Sequence, residues 1–326
     1  MAPLPFNMAL MEFLASHRTP FLTSFFLAAT FIGESGVYTL IILAIYVAWN
    51  KQLAIRLAVL VLATSSLNGL LKLIIGNPRP FIREGTWRSK WAISPKNAAA
   101  LATEYSTPSG HAMAASSFYS YLYALIGNRY FRIFAVVAIL LIGISRPYLG
   151  VHYLEDVLLG WAIKLLVALL FIRYGERIGI LWGRLTHSRQ IAAAVLASLG
   201  LWLFSVAINR WSFSGEPRNI LADAGFLTGI VIARPLELRK VNFDPRSSNL
   251  AAKILRFLLC AGLMIGALLM LGKLFAAVAV NGSLPACGLE YLRYAAAGFT
   301  CIFLAPLLFT SIGLAERIES SSHRNG

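Results

Sequence analysis

The sequence predicts an all-α fold, a polytopic transmembrane bundle of about nine spans with a core followed by extra C-terminal helices. Three observations carry this expectation. Of 326 residues, 58% are hydrophobic and only 13% charged, where soluble domains carry roughly a quarter charged residues. The mean hydropathy of +0.70 describes more apolar surface than one core can bury, so much of it must face lipid. No segment alternates strictly enough for a membrane strand, and helices are the remaining way to satisfy a backbone inside a bilayer.

In chain order, Met1 to Asn7 has neither the basic region nor the apolar stretch of a signal peptide, so no cleavage is expected. Met8 to Ser16 is apolar but too short to cross and precedes Pro20, which reads as an interfacial helix. Thr19 to Asn50 is interrupted only by Gly33, Glu34, Ser35 and Gly36. It is one span with a lead-in or a tight pair, and one span is favoured, because a crossing needs roughly 20 residues. Further spans are expected at 53–75, 111–127, 130–145, 154–172, 191–209, 220–236, 250–272 and 292–314. The run at 220–236 is the weakest, with Asp223 and Arg234, while Tyr294 to Ala315 carries no charge.

Lysine and arginine outnumber acids, giving a net charge of +15. In a soluble protein this would suggest nucleic acid, but these charges lie between apolar runs and are read as headgroup anchors, so membrane lipids and no nucleic acid are the expected partners. Cys260, Cys287 and Cys301 show no metal or redox spacing and are read as packing residues.

Three blocks of polar residues stand at span ends, where such groups are costly unless they act. Lys72 and Arg79 close the second span, just before Pro80. Pro108, Ser109, Gly110 and His111 open the third: Ser109 can cap the helix, Gly110 allows close backbone approach, and the free N–H groups make an anion seat. Ser145 and Arg146 end the fourth span, and His152 and Asp156 open the fifth. Four residues apart at a helix start, Asp156 can lie against the His152 imidazole and fix its tautomer, or act as a cap. Each block alone has a structural reading. Parity places all three on one membrane face, because the chain exits at Lys72, re-enters at His111, returns at Arg146 and re-enters at His152. Three cations, two histidines, a hydroxyl and a carboxylate then converge, a composition suited to holding a phosphate and attacking its phosphorus.

In this arrangement, Lys72/Arg79/Pro80, Pro108 to His111 and Ser145/Arg146/His152/Asp156, the sequence resembles the type 2 phosphatidic acid phosphatase superfamily at every position of its three-part signature, over roughly residues 50–172. The apolar spans favour its membrane branch, with lipid phosphate phosphatases, undecaprenyl pyrophosphate phosphatases, sphingosine phosphate phosphatases and glucose-6-phosphatase, over its soluble acid phosphatases and haloperoxidases. The resemblance implies hydrolysis of a phosphomonoester or pyrophosphate, of a lipid or a small molecule, with no metal or other cofactor. His152 would attack phosphorus with Asp156 holding its ring, and His111 would protonate the leaving oxygen. Lys72, Arg79, Ser109, Gly110 and Arg146 would hold the phosphoryl oxygens.

It implies lead-in helices over 1–35, a phosphatase core over 36–175 and a transmembrane extension over 176–326. The extension looks like the glucose-6-phosphatase and sphingosine phosphatase branches, but Asp156 departs from the animal glucose-6-phosphatase pattern and favours a bacterial lipid phosphatase. A sugar phosphatase, a lipid phosphotransferase and a phosphate-binding transporter remain the alternatives, and oligomeric state is left open. The face opposite the three blocks carries the larger share of basic residues, among them Arg129, Arg132, Arg173, Arg177, Arg184 and Arg189. Basic short loops stay in the cytoplasm, so the expected setting is a bacterial inner membrane with the blocks facing the periplasm.

Two further features are weighed. Lys164 falls on the helix face of Asp156, pointing into the bundle or else pairing with Glu34 or snorkelling. Arg83, Trp87, Arg88, Lys90 and Trp91 stud the loop after the first block as headgroup grips or plain anchors.

Overall fold

A computed structural model of the chain describes residues 5–83, 92, 94, 98, 101, 102, 104–280 and 282–318. Trp87, Arg88, Lys90, Trp91 and the side chain of Arg83 lie outside the described residues. Among those described, the elements are helical: α1 Pro5–Ser16, α2 Pro20–Ile32, α3 Ser35–Ala48, α4 Lys51–Ile75, the single turn α5 Pro80–Arg83, α6 Gly110–Leu125, α7 Arg129–Tyr148, α8 Leu154–Gly183, α9 His187–Ile208, α10 Glu216–Leu236, α11 Leu250–Val278, α12 Leu284–Phe299 and α13 Ala305–Ser311. π-Helical turns follow α10 at Glu237–Val241 and α12 at Thr300–Leu304.

Local chemistry explains several boundaries. The Thr19 hydroxyl accepts from the Leu22 N–H, and Pro20 sits at the first helical position of α2, where its missing N–H costs nothing. Asn128 caps α7 on Tyr130 and Phe131, Asn249 caps α11 on Ala252, and Ser283 caps α12 on Ala286.

Seven helical segments among the described residues are long and apolar enough to cross a bilayer, and the pair α2–α3, bent by 51° at the Gly33–Glu34 break, makes an eighth if counted as one span. The expected third span at 111–127 corresponds to α6, which has 16 residues, about 24 Å at 1.5 Å per residue against a hydrocarbon core of roughly 30 Å.

The chain divides into two compact units. The first holds the described residues up to Thr39 with Leu60–Gly183 and Leu201–Ile220; the second holds Leu40–Val59, Arg184–Gly200 and the described residues from Leu221. In the first unit, α6 packs against both α7 and α8, and α2 and α1 pack against α7. Small residues permit this. A Cβ on Gly143 of α7 would lie 2.1 Å from the indole of Trp161 on α8, and one on Gly160 would meet Met113 and the Ser109 carbonyl, both at 3.2 Å. Arg18, between α1 and α2, donates Nε and Nη2 to the Tyr148 carbonyl at 3.0 and 2.7 Å, satisfying the C-terminus of α7. Lys164 neither snorkels nor meets Glu34: it is fully buried, and its Nζ donates to the Thr64 carbonyl of α4 at 2.7 Å.

In the second unit, α10 meets α12 with backbone against backbone, because Gly225, Gly229 and Gly298 carry no side chain. An ion triad joins Lys51 and the partly exposed Arg234 to the fully buried Glu237, each at 2.7 Å. Cys260, Cys287 and Cys301 are buried thiols.

A Cβ on Gly229 would stand 2.1 Å from the Ala295 carbonyl oxygen, whereas one on Gly262 of α11 meets nothing within 4 Å. Gly229→Val should therefore destabilise the protein by about 1–3 kcal/mol or more, as overpacking does. Gly262→Ala should be neutral or better. Thermal unfolding in detergent checks the contrast, and equal midpoints for the two variants would refute this packing.

Candidate active site

All three blocks lie in the first unit, at one end of α4, α6, α7 and α8. The Asp156 carboxylate, fully buried, is the junction. Its Oδ2 accepts from the Tyr153 backbone N–H at 2.9 Å and from the Ser106 hydroxyl at 2.5 Å, and its Oδ1 accepts from the Thr107 hydroxyl. The Tyr153 bond is a helix-start cap for α8, so the capping role that the sequence left open is present. The other role is present too, since Oδ2 stands 3.4 Å from His152 Nδ1. The Asp156 carbonyl also accepts from the Ser109 N–H at 3.0 Å, tying the second block to the third.

The other side of the His152 ring meets Arg79, whose Nη1 lies 3.1 Å from Nε2 and 3.2 Å from the Val151 carbonyl. A guanidinium only donates, so Nε2 is the accepting nitrogen and the ring proton sits on Nδ1, facing Asp156 and Ser106. Burial, with the positive charge of Arg79 next, pushes the His152 pKa down and keeps the imidazole neutral.

Lys72 Nζ is held by Glu216 at 2.9 Å and Glu104 at 3.3 Å, and Glu104 also takes Arg79 Nη2 at 2.7 Å. Burial alone would raise the Glu104 carboxyl, but Lys72 and Arg79 outweigh it and hold the group below the usual carboxylate range. Arg146 is turned toward α2, where Nη1 donates to the Thr30 hydroxyl. The cations that bear on His111 are Arg146, Arg79 and Lys72, and a Cβ on Gly33 would lie 3.4 Å from its ring.

Ser109 corrects one expectation. It occupies the N-cap position of α6 with extended backbone angles, but its side chain makes no cap bond. The hydroxyl is buried and without a partner, because the loop before it is already anchored by Asn68 Nδ2 on the Pro108 carbonyl at 3.0 Å and by the Asp156 carbonyl. Gly110 begins the helix beside Asn68, whose Oδ1 would be 3.2 Å from an added Cβ.

The structure thus brings together Lys72, Arg79, Ser109, Gly110, His111, Arg146, His152 and Asp156. It adds residues the sequence reading missed, Glu104, Ser106, Thr30, Asn68 and Glu216, and gives a partner to Thr107 at the head of the second block. Glu104 and Ser106 had a signal, being polar and within four residues of Pro108. Glu216 had none, standing 144 positions from Lys72.

The arrangement offers a neutral imidazole whose accepting Nε2 faces Arg79, a second histidine, three cations, an unpartnered hydroxyl and the N–H groups of a helix start. Chemically, it can bind a tetrahedral anion and attack its centre.

Residues 53–180 match the PAP2 superfamily, and residues 221–317 match the PAP2 superfamily phosphatase, transmembrane extension. Over 246 residues the chain is 25% identical to sphingosine-1-phosphate phosphatase 1 of Mus musculus, covering 65% of this chain and 56% of that protein. Over 85 residues it is 39% identical to phosphatidylglycerophosphatase B of Bacillus subtilis (strain 168), covering 23% of this chain and 42% of that one. The chain therefore spans little more than half the length of the sphingosine-1-phosphate phosphatase it matches. Among solved structures, the transmembrane PAP2 type phosphatidylglycerolphosphate phosphatase from Bacillus subtilis has a TM-score of 0.42 at 26% identity, covering 53% of this chain and 85% of that chain. Aquifex aeolicus LpxE has a TM-score of 0.44 at 21% identity, covering 52% and 97%.

Removing the positive charge beside Nε2 makes protonation of the ring easier, so Arg79→Gln should raise the His152 pKa. Imidazole nitrogen shifts of the labelled protein should place His152 titration below 6.5 in the parent and higher in the variant. An unchanged or lower midpoint would contradict the assigned cause.

Proposed function

Because the chain belongs to the PAP2 superfamily, we propose that it is an integral membrane phosphatase that hydrolyses a phosphorylated lipid through a phosphohistidine on His152. The observation that carries this reading is the His152 ring, whose Nε2 can only accept from Arg79 while Nδ1 faces Asp156. That leaves a fixed lone pair amid cations.

In the first half-reaction, Nε2 attacks phosphorus and the bond to the ester oxygen breaks. His111 donates a proton to the departing alcohol. Positive charge gathers on the His152 ring, and the Asp156 carboxylate stabilises it through Nδ1–H. Lys72, Arg79 and Arg146 hold the equatorial oxygens, with the Ser109 hydroxyl and the N–H groups at the start of α6 as further donors. In the second half-reaction His111, now the base, takes a proton from water as the water oxygen bonds to phosphorus and the P–N bond breaks. Three side-chain cations supply the charge neutralisation that metal ions provide in other phosphoryl-transfer sites.

The relatives named for sphingosine-1-phosphate and phosphatidylglycerophosphate support a lipid as the substrate class. The basic residues concentrated on the opposite face support a bacterial inner-membrane setting in which the site opens to the periplasm.

With a radiolabelled lipid phosphate, rapid quenching should trap an acid-labile, base-stable phosphoenzyme. His152→Ala should abolish both label and turnover. His111→Ala should lose turnover of ordinary esters by about 10²–10⁴-fold, the usual worth of general acid catalysis, yet still become labelled by a substrate with a good leaving group. Label on His111 would reverse the roles.

Orientation has its own test. In a cysteine-free background, Ala102→Cys on the loop before the second block should react with an impermeant thiol reagent in intact cells, and Arg184→Cys should be protected. The opposite pattern would put the chemistry in the cytoplasm.

A further inference from the structure

The site holds two carboxylates that the reaction above does not use. Glu104 Oε2 lies 2.7 Å from Arg79 Nη2 and 3.3 Å from Lys72 Nζ, and Glu216 Oε1 lies 2.9 Å from the same Nζ. Between them they take Lys72 and Arg79, so two of the three cations are paired with carboxylates before any substrate arrives.

The two acids are placed differently. Glu216 is buried on the first turn of α10, where Asn219 Nδ2 lies 3.4 Å from its Oε2. Gly69, one turn before Lys72, makes room for it, since a Cβ there would stand 3.2 Å from Oε2. Glu216 is thus a built-in counter-charge. Glu104 lies on the loop before the second block with its side chain 37% exposed. Its carboxylate bridges two of the cations that would receive phosphoryl oxygens, and one of these, Arg79, also touches the nucleophilic Nε2. An incoming phosphoryl group must compete with Glu104 for the same donors, and the displaced carboxylate remains tethered beside the bound anion.

We propose that Glu104, with Glu216 behind it, makes the seat selective for phosphomonoesters over pyrophosphates. This rests on the phosphatase reading and settles a choice that the sequence left open. A monoester brings roughly −1.5 to −2 charges at neutral pH, which Lys72, Arg79 and Arg146 can match once Glu104 yields. A pyrophosphate brings at least one negative charge more, on a group bonded through a single oxygen to the one in the seat. That charge stays within the field of both acids, in a site where burial weakens screening. Discrimination then comes from a repulsive element built into the site.

The test compares farnesyl phosphate with farnesyl pyrophosphate, which share one alcohol, using the full-length protein in lipid vesicles. The parent should favour the monophosphate in kcat/KM by about tenfold or more, and Glu104→Gln should narrow that ratio about fivefold by raising the pyrophosphate value most, the scale expected for removing one nearby like charge. Glu104→Asp, which keeps the charge, should retain the preference and guards against a folding defect in the amide variant. A parent that prefers the pyrophosphate, or a Glu104→Gln variant in which both substrates fall together at a constant ratio, would overturn the proposal. Hydrolysis of neither substrate would instead contradict the phosphatase reading. Binding of inorganic phosphate against inorganic pyrophosphate by calorimetry then decides the charge argument, with tighter pyrophosphate binding overturning it.

Discussion

The Asp156 carboxylate is the constraint on which the rest of the site depends. It starts α8 by accepting the Tyr153 N–H, orients His152 from the Nδ1 side, and gathers the Ser106 and Thr107 hydroxyls from the loop that leads into α6. Its own carbonyl then takes the Ser109 N–H. A buried carboxylate is tolerated only when its lone pairs are met by donors, and here every donor comes from a segment that the site needs to position. Satisfying one buried charge therefore sets the start of α6, the start of α8 and the tautomer of the nucleophile together.

Around this anchor, charge is balanced pair by pair. Lys72 and Arg79 are almost wholly buried, where an unpaired cation would be costly, and Glu104 and Glu216 compensate them. Arg146 donates to the Thr30 hydroxyl, a neutral acceptor, with its Nε left without a partner. The resting site is thus electrostatically quiet yet retains unused donors at Arg146 and Ser109. An anion that displaces Glu104 exchanges one carboxylate for a better-matched set of oxygens.

Depth in the bundle is handled by the same rule of satisfying each polar group locally. Lys164 sits amid apolar helices and spends its proton on the Thr64 carbonyl, clamping α8 to α4 below the site. Gly143 and Gly160 let α7 and α6 press against α8, so that the three ends carrying Arg146, His111 and His152 converge.

The helical membrane fold, the three blocks and their common face were legible in the sequence. They follow from local rules: apolar run length, helix periodicity, and the alternation of exit and entry that each crossing imposes. His152 and Asp156 could be paired from a spacing of four because one helical turn leaves little freedom. The failure of Ser109 to cap was not legible, since its backbone position suits a cap and only the surrounding anchors leave its hydroxyl free. The counter-charges were out of reach for a deeper reason. Glu104 lies 32 positions from Lys72 and Glu216 lies 144, and which acid meets a given cation over such distances depends on how intervening helices pack. Local sequence dictates where charges must stand along each helix, and tertiary structure alone decides which of them neutralise one another.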